Sequence, residues 1–312
     1  MAVYTSKVII IGSGPAGYTA GIYTARAGLE PILVSGNQIG GQLTMTSAIE
    51  NFPGFPNHIS GNELMENMRI QALNTGVKII EDKITEVDFS STPFILSSEK
   101  GNSFTAQSVI IATGSSAKWL ELDSEKKYIG FGVSACATCD AFFYKNKTVA
   151  VVGGGNSAAE EALYLTKFAS KVILIHRRDT LRADLIMQKR LKENTKISIL
   201  YDHVLTEVKG EENPKSVTEI LVKNVKTDNI QNIKVDGVFI AIGHKPNTEI
   251  FKEYINLDEA GYIKTIDNSS QTNVEGVFAA GDVKDPRFGQ AITAAGSGAM
   301  AAMDATRFLS EK

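Results

Sequence analysis

The chain reads as an α/β protein with two doubly wound parallel sheets, the second domain inserted into the first. Three observations carry this reading. A plan of buried strand, glycine turn and helix begins at Lys7 and is repeated from Thr148. Within each copy strands and helices alternate, which implies right-handed βαβ crossovers and a parallel sheet. A strand and a long helix remain after the second copy closes, and the simplest topology returns them to the first domain.

The first copy starts with a strand over Lys7–Gly12 (KVIIIG), a glycine turn and a helix from Ala16 to about Ala27. A second strand is expected over Pro31–Ser35, a helix over Asn62–Asn74 and a third strand over Val77–Glu81. Short alternating segments then suggest a β-meander, closed by the strand Val109–Gly114 (VIIATG). The second copy follows the same order: Thr148–Gly153, a helix to about Phe168, Lys171–His176, Asp184–Asn194, Ile197–Tyr201 and the closing strand Val238–Gly243. Units this long are duplicated domains rather than solenoid repeats. The remaining segment supplies Gly276–Ala280 and a helix from Ala291 to Leu309. Domain one is expected to comprise residues 1–115 and 246–312, and the inserted domain residues 116–245.

Composition excludes several classes. With 43% hydrophobic and 21% charged residues the 312-residue chain is neither disordered nor fibrous. A net charge of −3 gives no basic field for nucleic acid. No apolar run approaches the length of a membrane span, and no signal peptide is visible, so a cytoplasmic or organelle-matrix enzyme is expected. The chain has two cysteines and four histidines, and none of them shows metal-ligand spacing. Metal binding is therefore not expected.

Both glycine turns have the context of a Rossmann-like dinucleotide cradle, after a strand and opening a helix. Gly12-Ser13-Gly14-Pro15-Ala16-Gly17 has the form G-x-G-x-x-G, in which glycines permit the tight turn and the approach of a pyrophosphate to helix N–H groups. Its second strand ends at Val34-Ser35, without the acidic residue that usually holds a ribose. Gly153-Gly154-Gly155-Asn156-Ser157-Ala158 has the form G-x-G-x-x-A, and here the second strand ends in His176-Arg177-Arg178, with Arg182 following. Guanidinium groups at this point suit a 2′-phosphate, which favours NADPH over NADH.

Cys136 and Cys139 lie just before the second cradle, three residues apart as on one side of a helix. Ser134 is expected to cap that helix, placing Cys136 in its first turn, where the dipole favours a thiolate. Asp140 follows directly and is placed to exchange a proton with a leaving thiolate.

GSGPAG, GGQL (Gly40–Leu43), ENFPG (Glu50–Gly54), CATCD, GGGNSA, HRRDTLR, AIGHKPN and VFAAGD (Val277–Asp282) occur in the order seen in low-molecular-weight thioredoxin reductases. The chain resembles that family over essentially its whole length. The resemblance implies an NADPH-dependent, FAD-containing pyridine nucleotide-disulfide oxidoreductase that acts on thioredoxin as a homodimer. It implies FAD on Gly12, Ser13, Gly14, Pro15, Ala16, Gly17, Ser35, Gly41, Gln42, Asn51, Gly281, Asp282, Gln290 and Ala291. It likewise implies NADPH on Gly153, Gly155, Asn156, Ser157, Ala158, His176, Arg177, Arg178 and Arg182. Cys139 would face the flavin, and Cys136 would attack the partner disulfide.

The chain departs from the family pattern at Ala141, where Gly is usual, and at Phe288-Gly289-Gln290-Ala291, where Tyr-Arg-Gln-Ala is usual. Arg287 is the nearest guanidinium to the missing one. Because the cysteine pair and the NADPH cradle share the inserted domain, a rotation about Ser115–Lys118 and Gly243–Asn247 is expected between half-reactions. Two alternatives stay open on the residues alone: a flavin reductase of a non-thiol acceptor, and a non-enzymatic NADPH-sensing or flavin-storing protein.

Overall fold

The computed structural model describes every residue of the chain except Ser47 and Asn268. The chain divides into unit 1, Met1–Ser116 with Lys245–Lys312, and unit 2, Ala117–His244.

Unit 1 begins with β1 (Val3–Ile11), α1 (Pro15–Arg26) and β2 (Ile32–Val34). It continues with α2 (Gly61–Asn74), β3 (Lys78–Ile80), β4 (Ile84–Asp88), β5 (Phe94–Ser98) and β6 (Ser103–Ile111). The strand β7 (Ser115–Ala117) leads out of the unit. Unit 2 contains α3 (Asp123–Tyr128), β8 (Val133–Ser134), α4 (Ala137–Asp140), β9 (Thr148–Gly153), α5 (Asn156–Leu165) and β10 (Lys171–Ile175). It goes on with α6 (Leu185–Glu193), β11 (Ile197–Leu200), β12 (His203–Glu212), β13 (Lys215–Asn224), β14 (Ile230–Lys234) and β15 (Gly237–Ala241). The strand β16 (His244–Pro246) leads back to unit 1, which ends with β17 (Val277–Ala279) and α7 (Ala291–Ser310). No helix among the described residues is long and apolar enough to cross a membrane.

In unit 1 the sheet order is β3-β2-β1-β6-β5-β4, with β17 also paired to β6. The strands around β1 are parallel, and each inner strand is buried on both faces, which is why their sequences are continuous apolar runs. Alternation still sorts the residues. Val8 and Ile10 pack with α1, α2 and α7, whereas Ile9 and Ile11 pack with Phe94, Phe104 and Phe251. Each such fully buried aliphatic side chain stabilises the fold by roughly 1.5–3 kcal/mol. The last helix completes the first face. Its small residues Ala294, Ala295, Gly298, Ala301, Ala302 and Ala305 are buried, and a Cβ on Gly298 would lie 2.2 Å from the Ala16 carbonyl oxygen.

Unit 2 has the order β11-β10-β9-β15-β8, all parallel, with Val149 and Val151 against α5 and Ala150 and Val152 against the β12–β14 sheet. The two meanders differ. In unit 1, β4 and β5 continue the main sheet, because the nine-residue β6 pairs with β5 over its first half and with β17 over its second. In unit 2 the five-residue β15 has no such overhang, and β12, β13 and β14 form a separate antiparallel sheet.

Candidate active site

In unit 2, Cys136 and Cys139 form a disulfide with an S–S distance of 2.10 Å and Cα atoms 5.4 Å apart. The helix that carries it begins at Ala137, with Cys136 itself as the extended N-cap residue, φ −145°. This corrects the expected role of Ser134. Its hydroxyl accepts from the Cys136 N–H at 3.0 Å, ahead of the helix, so it fixes the cysteine rather than capping the turn. The Cys139 and Asp140 amides both donate to the Cys136 carbonyl at 3.2 Å. Both cysteines are partly exposed, whereas Ala137 and Ala141 between and beyond them are buried. The methyl of Ala141, where the family pattern has Gly, thus fills the core with Tyr144 and Phe239.

Burial raises the Asp140 carboxyl above its ordinary range, against the lowering effect of the Ser134 hydroxyl. The Tyr144 phenol is pushed up as well, by burial first and then by the charges of Asp140 and Asp236. One half-buried acid of this region, Glu161 on α5, was not anticipated from the sequence; its Oε2 is sealed from solvent. The signal was present, since Glu161 shares the face of Ala158 and Leu165 at spacings of three and four.

The cradle of unit 1 assigns different work to its glycines. A Cβ on Gly12 would lie 2.3 Å from the Ala112 carbonyl oxygen, and one on Gly17 would lie 1.9 Å from that of Gly12. A Cβ on Gly14 would meet nothing within 4 Å. Two glycines therefore serve packing and the middle one leaves open space at the start of α1, which has no side-chain cap. Ser13 is spent on scaffolding: its hydroxyl donates to the Ser35 carbonyl at 2.8 Å and accepts from the Gly40 N–H at 3.0 Å. Those bonds bring the Gly40–Leu43 loop to the turn, and a Cβ on Gly41 would lie 3.4 Å from Gly14 Cα. Gln42 donates to the Ser115 carbonyl.

From the far end of the sequence, Gly281 faces Ala16, with an added Cβ only 2.9 Å from the Ala16 methyl. Asp282 beside it keeps Oδ1 buried without a hydrogen-bond partner, and burial, then the Asp285 charge, pushes its carboxyl up to about 6. Asn51 donates to Gln290 at 3.1 Å, one residue before Ala291 opens α7. The fold thus gathers segments near residues 12, 41 and 281 around one turn, and joins 51 to 290. Gly289 has φ +54° and open space about it. The Arg287 guanidinium lies over the Phe288 ring at 5.2 Å, which is the company it keeps in place of the family's arginine position.

In unit 2 the glycine roles repeat. Gly153 is closed by the Ala241 carbonyl oxygen at 2.4 Å and Gly154 by the His176 ring at 2.1 Å, while Gly155 is open. His176 is buried, with Nδ1 3.0 Å from the Gly153 carbonyl and Nε2 2.9 Å from that of Thr180. It is a strut between the cradle and the following loop. Arg182 and Ala183 amides donate to the Gly154 carbonyl at 2.7 and 3.1 Å, and Asn156 exchanges hydrogen bonds with Asp184. On this braced loop Arg177, Arg178 and Arg182 are exposed, and among the described residues none forms an ion pair. Asp179, which follows Arg178 directly, is drawn to Lys226 at 3.5 Å. Ser157 is exposed in the first turn of α5, and Ala158 is buried beneath Gly153. Among the described residues no group of three or more His, Cys, Asp or Glu could hold a metal ion.

Comparison with known proteins agrees over the whole length. Residues 6–298 match the pyridine nucleotide-disulphide oxidoreductase family model. A thioredoxin reductase of Rickettsia felis is 55% identical over 307 residues, covering 98% of this chain and 99% of that protein. A solved thioredoxin reductase of Giardia duodenalis matches with TM-score 0.93 at 41% identity, covering 98% of this chain and 99% of the other. One from Lactococcus lactis, described as the FR conformation, matches with TM-score 0.65 at 40% identity, covering 98% and 100%.

Proposed function

The chain belongs to the pyridine nucleotide-disulphide oxidoreductase family and is a disulfide reductase of the thioredoxin reductase type, and from that premise we propose its cofactors, partner and cycle. FAD occupies the cradle of unit 1, NADPH that of unit 2, and the disulfide of a thioredoxin is the substrate. The observation that carries the reading is the partly exposed Cys136–Cys139 disulfide at the head of a short helix, in the same unit as the arginine-lined cradle.

The residues fit these groups. Gly14 and Gly155 leave the space a pyrophosphate needs at a helix N-terminus. The unpartnered Asp282 Oδ1 asks for a donor, which a polyhydroxyl chain supplies. The three unpaired guanidinium groups ask for a dianion, as on a 2′-phosphate. When bound, the nicotinamide supplies a hydride and the flavin relays its electron pair to a disulfide.

Once the pair is reduced, the Cys136 thiolate attacks one sulfur of the thioredoxin disulfide and expels the other as a thiolate. Cys139 then attacks Cys136 Sγ, restoring the disulfide and releasing the second thioredoxin thiolate. The two leaving thiolates take up two protons, and Asp140, whose proton affinity burial raises, is placed to deliver one. The pair and the NADPH cradle are on one unit and the flavin cradle on the other, and reacting atoms must approach to about 3–3.5 Å. Unit 2 therefore alternates by rotation about β7 and β16, which pair with each other. Gly114 and Gly243, at φ +66° and +102° with nothing within 4 Å of an added Cβ, flank both crossings and support this.

We also assign a homodimer in the cytoplasm; the exposed Tyr23, Met300 and Met303 on α1 and α7 offer apolar surface for the dimer. Cys136→Ser and Cys139→Ser, made separately, test the reading. Each should abolish thioredoxin reduction while NADPH still reduces a one-electron dye acceptor. Retained thioredoxin reduction in either variant would overturn it.

A further inference from the structure

Unit 1 has no acidic side chain at the end of its second strand, the point from which the ribose of a bound dinucleotide is ordinarily held. Ser35 stands there instead, buried, and its hydroxyl donates to the Gly36 carbonyl at 2.9 Å. Gly36 has φ +79°, and an added Cβ would meet nothing within 4 Å. The end of β2 therefore offers backbone and open space, and a ribose is received there only as well as that backbone is held.

The group that holds it is Asp82, two residues past β3 and 4% exposed. The Gly36 amide donates to the Asp82 carbonyl at 2.9 Å, beside the bond of the Ser35 amide to the Ile80 carbonyl at 3.0 Å. The Asp82 carboxyl is bonded elsewhere, mainly to the turn that joins β5 to β6. Its Oδ1 accepts from the backbone amides of Lys83 at 2.8 Å and Lys100 at 3.2 Å. Its Oδ2 accepts from the Ser98 hydroxyl at 2.5 Å and the Asn102 side-chain amide at 2.8 Å. Asn102 Oδ1 accepts from the Ala2 amide at 2.9 Å, which ties the entry to β1 into the same cluster.

All four partners of the carboxyl are donors, so both its oxygens must accept, as a carboxylate does. Burial raises the carboxyl, but the bonds from Ser98, Lys83, Asn102 and Lys100 together outweigh it and hold the group below its ordinary range. Asp82 is thus a charged rivet. The hairpin turn fixes its side chain, and its carbonyl fixes Gly36. Among the described residues no hydrogen bond joins it to Gly14, Asn51 or Asp282.

We propose that Asp82 is a positioning residue for the adenosine half of bound FAD. It holds the Gly36 peptide where the ribose is received, and so does through the backbone what an acid on β2 does by direct contact. The proposal rests on the reading of the unit 1 cradle as the FAD site.

The test strips the flavin from the full chain and works well below the melting temperature of each variant. Dissociation constants are measured for FAD by flavin absorbance, and for ADP and FMN by equilibrium dialysis; ADP carries the adenosine half and FMN lacks it. Asp82→Ala should weaken FAD and ADP by the same factor, roughly 10–30-fold, and leave FMN within about twofold. Ser98→Ala, which removes one donor and keeps Asp82, should weaken FAD and ADP by about threefold. Unchanged FAD binding in Asp82→Ala overturns the proposal. So does FMN weakened as much as FAD, because a general loosening of unit 1 acts on both ligands alike. Should Asp82→Ala fail to fold, Ser98→Ala and Asp82→Asn decide by the same comparison of FAD with FMN. A wild-type chain that binds no FAD would sink the proposed function and this inference with it, whereas wild-type binding that the variants share sinks this inference alone.

Discussion

The cysteines owe their setting to small neighbours with assigned tasks. Ser134 fixes the Cys136 amide, Ala137 and Ala141 bury the inner side of the turn, and Asp140 keeps a raised carboxyl behind it. Asp282 shows the cost of such readiness. Its folded-state value of about 6 lies above the unfolded value, so between those limits the folded chain binds more protons than the unfolded one. Stability from this group is therefore lost as pH rises through that window. Asp282→Asn should raise the melting temperature of the flavin-free protein at pH 7.5, leave it unchanged near pH 3, and weaken flavin retention; calorimetry and absorbance at the flavin band measure all three. For the arginine loop, Arg178→Ala should raise KM for NADPH by about 10–100-fold, the loss of one charged hydrogen bond, with little change for NADH. Steady-state kinetics with the two nucleotides checks it.

At the scale of elements, the strand–turn–helix units separate packing glycines from ligand-facing ones. Gly14→Ala meets open space at a negative φ and should leave the flavin-free protein folded, within about 0.5 kcal/mol, while abolishing flavin binding. Gly17→Ala would drive a methyl into the Gly12 carbonyl oxygen and should destabilise the fold itself. Thermal melts with and without added FAD separate the two outcomes. Most of this was readable in the sequence, because buried parallel strands are continuous apolar runs and the glycine spacing is set by the turn. Thr148–Gly153 and the start of α7 fall where the pattern placed them. What escaped depended on lengths and on tertiary partners. Equal meanders were expected, yet the overhang of β6 merges one into its sheet and the short β15 leaves the other separate. The capping of α4 was misread because Ser134 reaches Cys136 through a local turn that competes with helix capping. Glu161 was overlooked because its periodicity becomes telling only once α4 is known to lie over α5. The meeting of Asn51 with Gln290 had no signal in spacing at all.

At the scale of the whole molecule, two connecting strands divide the work: unit 1 holds one cradle, and unit 2 holds the other with the disulfide. A crosslink that fixes the units to each other should stop steady-state turnover yet permit a single half-reaction, seen by stopped-flow absorbance; full turnover in the locked protein contradicts the rotation. The central claim is that one electron pair passes from NADPH through the flavin to Cys136–Cys139 and on to thioredoxin. Anaerobic titration of the purified protein with NADPH, followed by oxidised thioredoxin, tests it most directly. About two electron pairs per chain should be taken up, one of them absent in Cys139→Ser, and thioredoxin should then restore the oxidised flavin spectrum. Uptake of a single pair by the wild type, or a bleached flavin that thioredoxin leaves bleached, would contradict the account.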